Sequence, residues 1–156
     1  MGAAMSPFNA FMFIQGLETL ALRMKEHSKN GAMVAEFLQN HPKVERVSHP
    51  SVADGFKKER ADNYLNGSCG GLMGFEIKGG LESGKKFIES LEMFYHVANI
   101  GDSKSLAIHP ASTTHSQLNE EELLSGGVSP GYIRLSIGLE HIDDILEDLG
   151  NAFDNS

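Results

Sequence analysis

A chain of 156 residues has the material for one ordinary domain with a sizeable core and too little for two. Its formal charge of −8, with no clustered Lys/Arg stripe, repels a phosphate backbone and excludes nucleic acid as a partner. Cys69 stands alone, which rules out an internal disulfide or a thiolate metal cage, and no apolar run approaches the roughly 20 residues that cross a bilayer; a cytoplasmic protein without a membrane partner is expected.

Ser6 and Pro7 have the chemistry of an N-cap and a first helical residue. Phe8, Phe11, Met12, Phe13 and Ile14 then crowd apolar groups around more than one helical face, and such a helix needs partners on several sides. After Gly16 the pattern narrows to Leu17, Leu20, Ala21 and Met24, continuing through His27, Gly31, Val34, Ala35 and Leu38. This predicts one helix to about Gln39, bent near Gly31 and ended by Asn40, His41 and Pro42. At about 1.5 Å per residue it spans roughly 50 Å, long enough to join two bodies. Residues 1–40 are therefore expected to form a connecting helix, and residues 41–156 the domain proper.

Shorter elements follow. Val44–Val47 reads as a strand, Phe56–Tyr64 as a polar helix, and the cluster Asn66–Gly71 as a turn. Leu72–Ile77 alternates as a strand, Leu81–Met93 as a helix with Phe87, Ile88 and Leu91 inward, and Phe94–Ile100 as another strand. Asn99–His115 has no period of its own, and a compact domain rarely keeps so long an irregular loop unless it binds or gates something. Asn119 and Glu122 form a capping-box pattern, and Gly126 and Gly127 stop that short helix. Tyr132–Glu140 is the clearest strand, with Ile133, Leu135 and Ile137 on one side and Arg134, Ser136, Gly138 and Glu140 on the other. The last helix, His141 to about Phe153, turns Ile142, Ile145, Leu146 and Leu149 inward and its acidic groups mostly outward. The expected fold is α+β, an α/β sandwich: a mostly antiparallel four-stranded sheet with helices on one face, preceded by the long helix.

Arg134 is the residue with the clearest chemistry. A guanidinium held on the open face of a sheet presents a rigid fork for a carboxylate, and Asn99 at the start of the irregular loop is its expected companion. The competing reading is a structural loop beside a surface arginine, paired with one of the 21 acidic side chains. Ser136 and Gly138 are small neighbours that would leave room for a ligand. His109 and His115 match no common metal spacing, Ser112 to Thr114 lack a nucleophile elbow, and Cys69 has no obvious activator, so no catalytic or metal residue is assigned.

MSPFNAFMFIQGLETLALRMKEH, FEIKGG, NIGDSKSLAIHPASTTHSQLNEEEL and IRLSIGLEHIDDILEDL together resemble the C-terminal part of the Cys/Met-metabolism enzymes that use pyridoxal phosphate. The resemblance implies a fold-type I enzyme in which a large N-terminal domain holds the cofactor and a small C-terminal domain closes over the substrate. This chain would be the small domain plus the helix that joins it to the large one. The family's arginine for the substrate α-carboxylate falls on Arg134, and a position lining the same site falls on Asn99. Asparagine there favours the branch that replaces the acetate of O-acetylhomoserine by sulfide or a thiol, over the cystathionine and methionine lyases or cystathionine γ-synthase. The family's aldimine lysine, in a Ser-x-Thr-Lys setting, matches none of the nine lysines here, so the chain alone is expected to be inactive and to bind no cofactor covalently. Met1, in place of a leucine-like family residue, suggests a fragmentary start. Such enzymes are commonly homo-oligomers. A different class of function, a stand-alone small-molecule sensor or oligomerisation module, remains open.

Overall fold

The structure is a computed structural model that describes residues 4–156, the side chain of Glu120 excepted. Expectations for Met1 to Ala3 lie outside the described residues. Ser6 and Pro7 start helix α1 (Pro7–Glu18), the Ser6 hydroxyl accepting the Asn9 N–H at 3.2 Å. The predicted single helix is divided at Thr19, whose angles (φ −104°, ψ 3°) leave the helical range, and α2 runs from Leu20–Asn40. Arg23 reaches back over this break to the Gly16 carbonyl and the Thr19 hydroxyl.

Gly31 is not the bend. It lies inside unbroken helix, and glycine stands there because a Cβ would collide with the Gly70 carbonyl and meet the Gly71 Cα at 3.0 Å. The glycine cluster thus has a packing purpose, letting its loop pass between α2 and the sheet.

The remaining elements are β1 (Val44–Ser48), α3 (Gly55–Leu65), β2 (Leu72–Ile77), α4 (Gly80–Glu89), β3 (Tyr95–His96), β4 (Leu106–Ile108), α5 (Glu120–Ser125), β5 (Tyr132–Ser136) and α6 (Ile142–Asp154). The sheet has five strands in the order β1-β2-β5-β4-β3, antiparallel except for the β3–β4 pair. The extra strand, β4, falls inside the supposedly irregular stretch. Its three residues are all buried, so it has no inside-outside alternation to betray it.

The strand expected over Phe94–Ile100 shrinks to β3. Beyond it, Val97 N–H bonds to Tyr95 O and Asn99 N–H to Val97 O, both at 3.0 Å, which curls the chain out of the sheet. Helix α4 also ends earlier than its pattern suggests. The Asp148 carboxylate of α6 accepts the Glu92 and Met93 N–H groups at 2.9 and 3.0 Å, so this acidic residue points inward.

Helices α2, α4 and α6 cover one face of the sheet. Val34, Ala35 and Leu38 of α2, Phe87 of α4, and Ile145, Leu149 and Phe153 of α6 close over Phe75, Ile133 and Leu135. Helix α1 has no buried residue, with Phe8 70% and Phe13 62% exposed, so the domain gives its apolar side chains no cover. Among the described residues no helix is long and apolar enough to cross a membrane.

Candidate functional site

Strand β5 lies between β2 and β4, and its alternation decides which side chains meet. Ile133 and Leu135 point into the core; Tyr132, Arg134 and Ser136 take the opposite face. Gly74 and Ile108 stand directly across from Arg134 on the flanking strands and share that face. Gly74 is required by its other neighbour, because the Tyr132 ring lies where a Cβ would be.

Arg134 is half-buried and donates from Nη2 to the main-chain carbonyl of Asn99 at 3.2 Å. The two residues singled out from the sequence thus meet, across 35 positions of chain. The contact uses the backbone of Asn99, whose side-chain Oδ1 accepts the Ile100 N–H at 2.9 Å. Among the described residues no carboxylate lies within ion-pair distance of Arg134, so the surface salt bridge that competed as an explanation is not formed with them. A planar group with five N–H donors and one such bond keeps most of its hydrogen-bonding capacity.

The small neighbours are not vacancies. Ser136 is buried and its hydroxyl accepts the Gly101 N–H at 3.0 Å. A Cβ on Gly138 would meet the Glu140 carboxylate and, at 2.5 Å, the Ser103 carbonyl. Both positions seat the loop against β5 and leave no ligand space. Sequence reasoning also missed Ser105 and Glu140, which bind each other at 2.7 and 2.9 Å; a serine in a loop and a glutamate after a strand carry no pattern that pairs them.

His109 is fully buried. Its Nε2–H donates to the Pro130 carbonyl at 2.7 Å, leaving Nδ1 to accept the Ser112 hydroxyl at 2.8 Å. Burial, aided by nearby Lys85, outweighs the Pro130 bond and lowers its pKa from the ordinary 6.5. His49 is lowered in the same way by burial. Between the lowered folded value and 6.5 the unfolded chain binds more protons, so this stability is complete above 6.5 and lost as pH falls below it. Thermal unfolding is therefore expected to shift downward from pH 7.5 to 5.5, and less steeply in His109→Gln; an identical pH slope in both would contradict the assignment. This is a structural histidine. Among the described residues no group of three or more His, Cys, Asp or Glu is placed to hold a metal ion.

Beside Arg134 the described residues offer no lysine to hold pyridoxal phosphate covalently. No strand position on the face of Arg134 is a lysine. Lys43 instead holds the C-terminal carbonyls, Lys78 the Pro42 carbonyl at 2.6 Å, and Lys104 the Tyr95 hydroxyl at 3.0 Å. A groove of about 1030 Å³ opens between α3 and the β1 edge and reaches Tyr132, but neither Arg134 nor Asn99 lines it.

The sequence profile of the Cys/Met metabolism PLP-dependent enzymes matches residues 1–154. O-acetyl-L-homoserine sulfhydrylase of Leptospira meyeri is 57% identical over 156 residues, 99% of this chain and 35% of that protein. L-methionine gamma-lyase of Pseudomonas putida is 42% identical over 151 residues, 97% of this chain and 38% of that protein. A Campylobacter jejuni structure, provisionally assigned as an O-acetylhomoserine (thiol)-lyase and containing N'-pyridoxyl-lysine-5'-monophosphate, superposes with a TM-score of 0.87 at 45% identity. That match covers 98% of this chain and 36% of the other. The chain thus spans little more than a third of the length of the relatives it matches. With the profile matched over all but its last two residues, this chain belongs to the Cys/Met metabolism PLP-dependent enzymes.

Proposed function

We propose that this chain is the substrate-carboxylate-binding part of a PLP-dependent O-acetylhomoserine sulfhydrylase, with Arg134 as the carboxylate fork and Asn99 as the loop residue that frames it. The observation that carries the reading is a half-buried arginine on the helix-free face of β5, unpaired with any carboxylate among the described residues and braced by the Asn99 carbonyl. Such a group orients an amino-acid substrate by its carboxylate and balances its charge. In the longer protein the cofactor would supply the electron sink for exchanging acetate for sulfide or a thiol, giving homocysteine or methionine. Its anchoring lysine and phosphate contacts fall to an N-terminal portion, and the isolated chain is inactive.

Within this reading residues 1–40 join the two portions and residues 41–156 form the small domain, although the second half of α2 is shared with the small domain's core. The bare apolar surface of α1 is covered by the N-terminal portion in a cytoplasmic homo-oligomer. The relatives keep one alternative in view, since methionine gamma-lyases match at 42% and 41% identity. Assaying the full-length enzyme with O-acetylhomoserine separates the two. Homocysteine formation that depends on added sulfide is expected. Elimination to a 2-oxo acid at the same rate without sulfide would assign a lyase instead.

A further inference from the structure

The residues just after β5 are gripped from both sides. On one side α2 takes their carbonyls: His27 Nδ1–H donates to Ile137 O at 2.7 Å, and the Asn30 amide to Gly138 O and Glu140 O at 3.2 and 3.0 Å. On the other side the loop takes their N–H groups: Leu139 donates to Ser103 O at 2.8 Å and Gly138 to the Ser105 hydroxyl at 2.9 Å.

The Glu140 carboxylate completes the grip. One oxygen accepts the Ser105 N–H at 2.7 Å and the other its hydroxyl at 2.9 Å. Hydrogen bonds to an ionised acceptor are about twice as strong as neutral ones. Their target matters because the chain is exposed at every residue from Tyr95 to Lys104 and first becomes buried at Ser105. The loop bearing Asn99 has little apolar anchorage, so polar tethers set its position. Asn99 lies six residues upstream of Ser105, with Gly101 tied to Ser136 between them.

We propose that Glu140 is a positioning residue: through Ser105 it holds the loop against the end of β5, keeping the Asn99 carbonyl on Arg134 and the rest of the guanidinium turned outward. This rests on the carboxylate-binding reading of Arg134. Glutamine at 140 keeps the shape but loses the charge and one acceptor, so two hydrogen bonds to an ionised carboxylate become at best one neutral bond to its carbonyl and a reversed one from its amide to the Ser105 hydroxyl.

The test is a double-mutant cycle in the full-length holoenzyme, reading KM for the amino-acid substrate, KM for sulfide and kcat. Glu140→Gln is expected to raise the amino-acid KM by roughly 5- to 20-fold, with kcat within about twofold and the sulfide KM unchanged. On an Arg134→Ala background the same change is expected to have no further effect on that KM. An equal effect on both backgrounds would overturn the inference, because Glu140 would then not act through Arg134. An unchanged KM in Glu140→Gln, while Arg134→Ala raises it, would overturn the inference and leave the carboxylate reading standing. An unchanged KM in Arg134→Ala would remove both. If Glu140→Gln does not fold, Ser105→Ala deletes the hydroxyl and is read by the same outcomes.

Discussion

Arg134→Lys in the full-length enzyme is expected to lower kcat/KM for the amino-acid substrate by about 5- to 150-fold, equivalent to roughly 1–3 kcal/mol. The size follows from geometry. A lysine ammonium reaches a single point, whereas a guanidinium meets both carboxylate oxygens in one plane, and a central strand cannot slide to compensate. The two explanations of Arg134 differ in what they forecast. If its only task were the 3.2 Å bond to the Asn99 carbonyl, an ammonium would satisfy that acceptor and kinetics would hardly change. Steady-state assays with stability measured alongside distinguish them, and catalytic efficiency within twofold of the parent would remove Arg134 from the substrate site.

Phe153→Ala is expected to destabilise the fold by about 3–5 kcal/mol, through lost burial and the cavity left behind. The ring is fully buried at the meeting point of three helices and the sheet. It lies 4.6 Å from the Phe87 ring, 5.8 Å from Phe75 and 6.4 Å from Phe37, and stacks on His41 at 3.9 Å. Such a loss is a large part of the roughly 5–15 kcal/mol that holds an ordinary domain together. Chemical denaturation followed by circular dichroism measures it. A loss below 1 kcal/mol would mean that α6 is only loosely docked.

The elements legible from the sequence are those in which one face is buried and the other is not. Strands β2 and β5 were legible because their large apolar side chains recur at every second position, Met73, Phe75 and Ile77 in one and Ile133 and Leu135 in the other, and that period placed Arg134 on the face away from the helices. The cap of α5 was equally readable, since Asn119 and Glu122 exchange both bonds at 2.9 Å. What escaped was set by partners distant in sequence. Strand β4 is buried throughout, Asp148 is drawn inward by two N–H groups more than 50 residues away, and Gly138 is small because a loop 35 residues earlier lies against it. Phe153 reads only as the approximate end of the last helix and is the hub of an aromatic cluster. At the site, the sequence named Arg134 and Asn99 as joint ligands of a carboxylate; they meet through a main-chain carbonyl, which any residue at position 99 would supply and no side-chain pattern reveals.

The most direct measurement compares the affinity of the full-length holoenzyme for an amino-acid substrate analogue and for the amine lacking only its carboxylate, in the parent and in Arg134→Ala. The parent should favour the carboxylate-bearing ligand by at least about tenfold, corresponding to roughly 1.4 kcal/mol, and Arg134→Ala should show little preference. A preference that survives intact in the variant would contradict the account, because some other group would then be recognising the carboxylate.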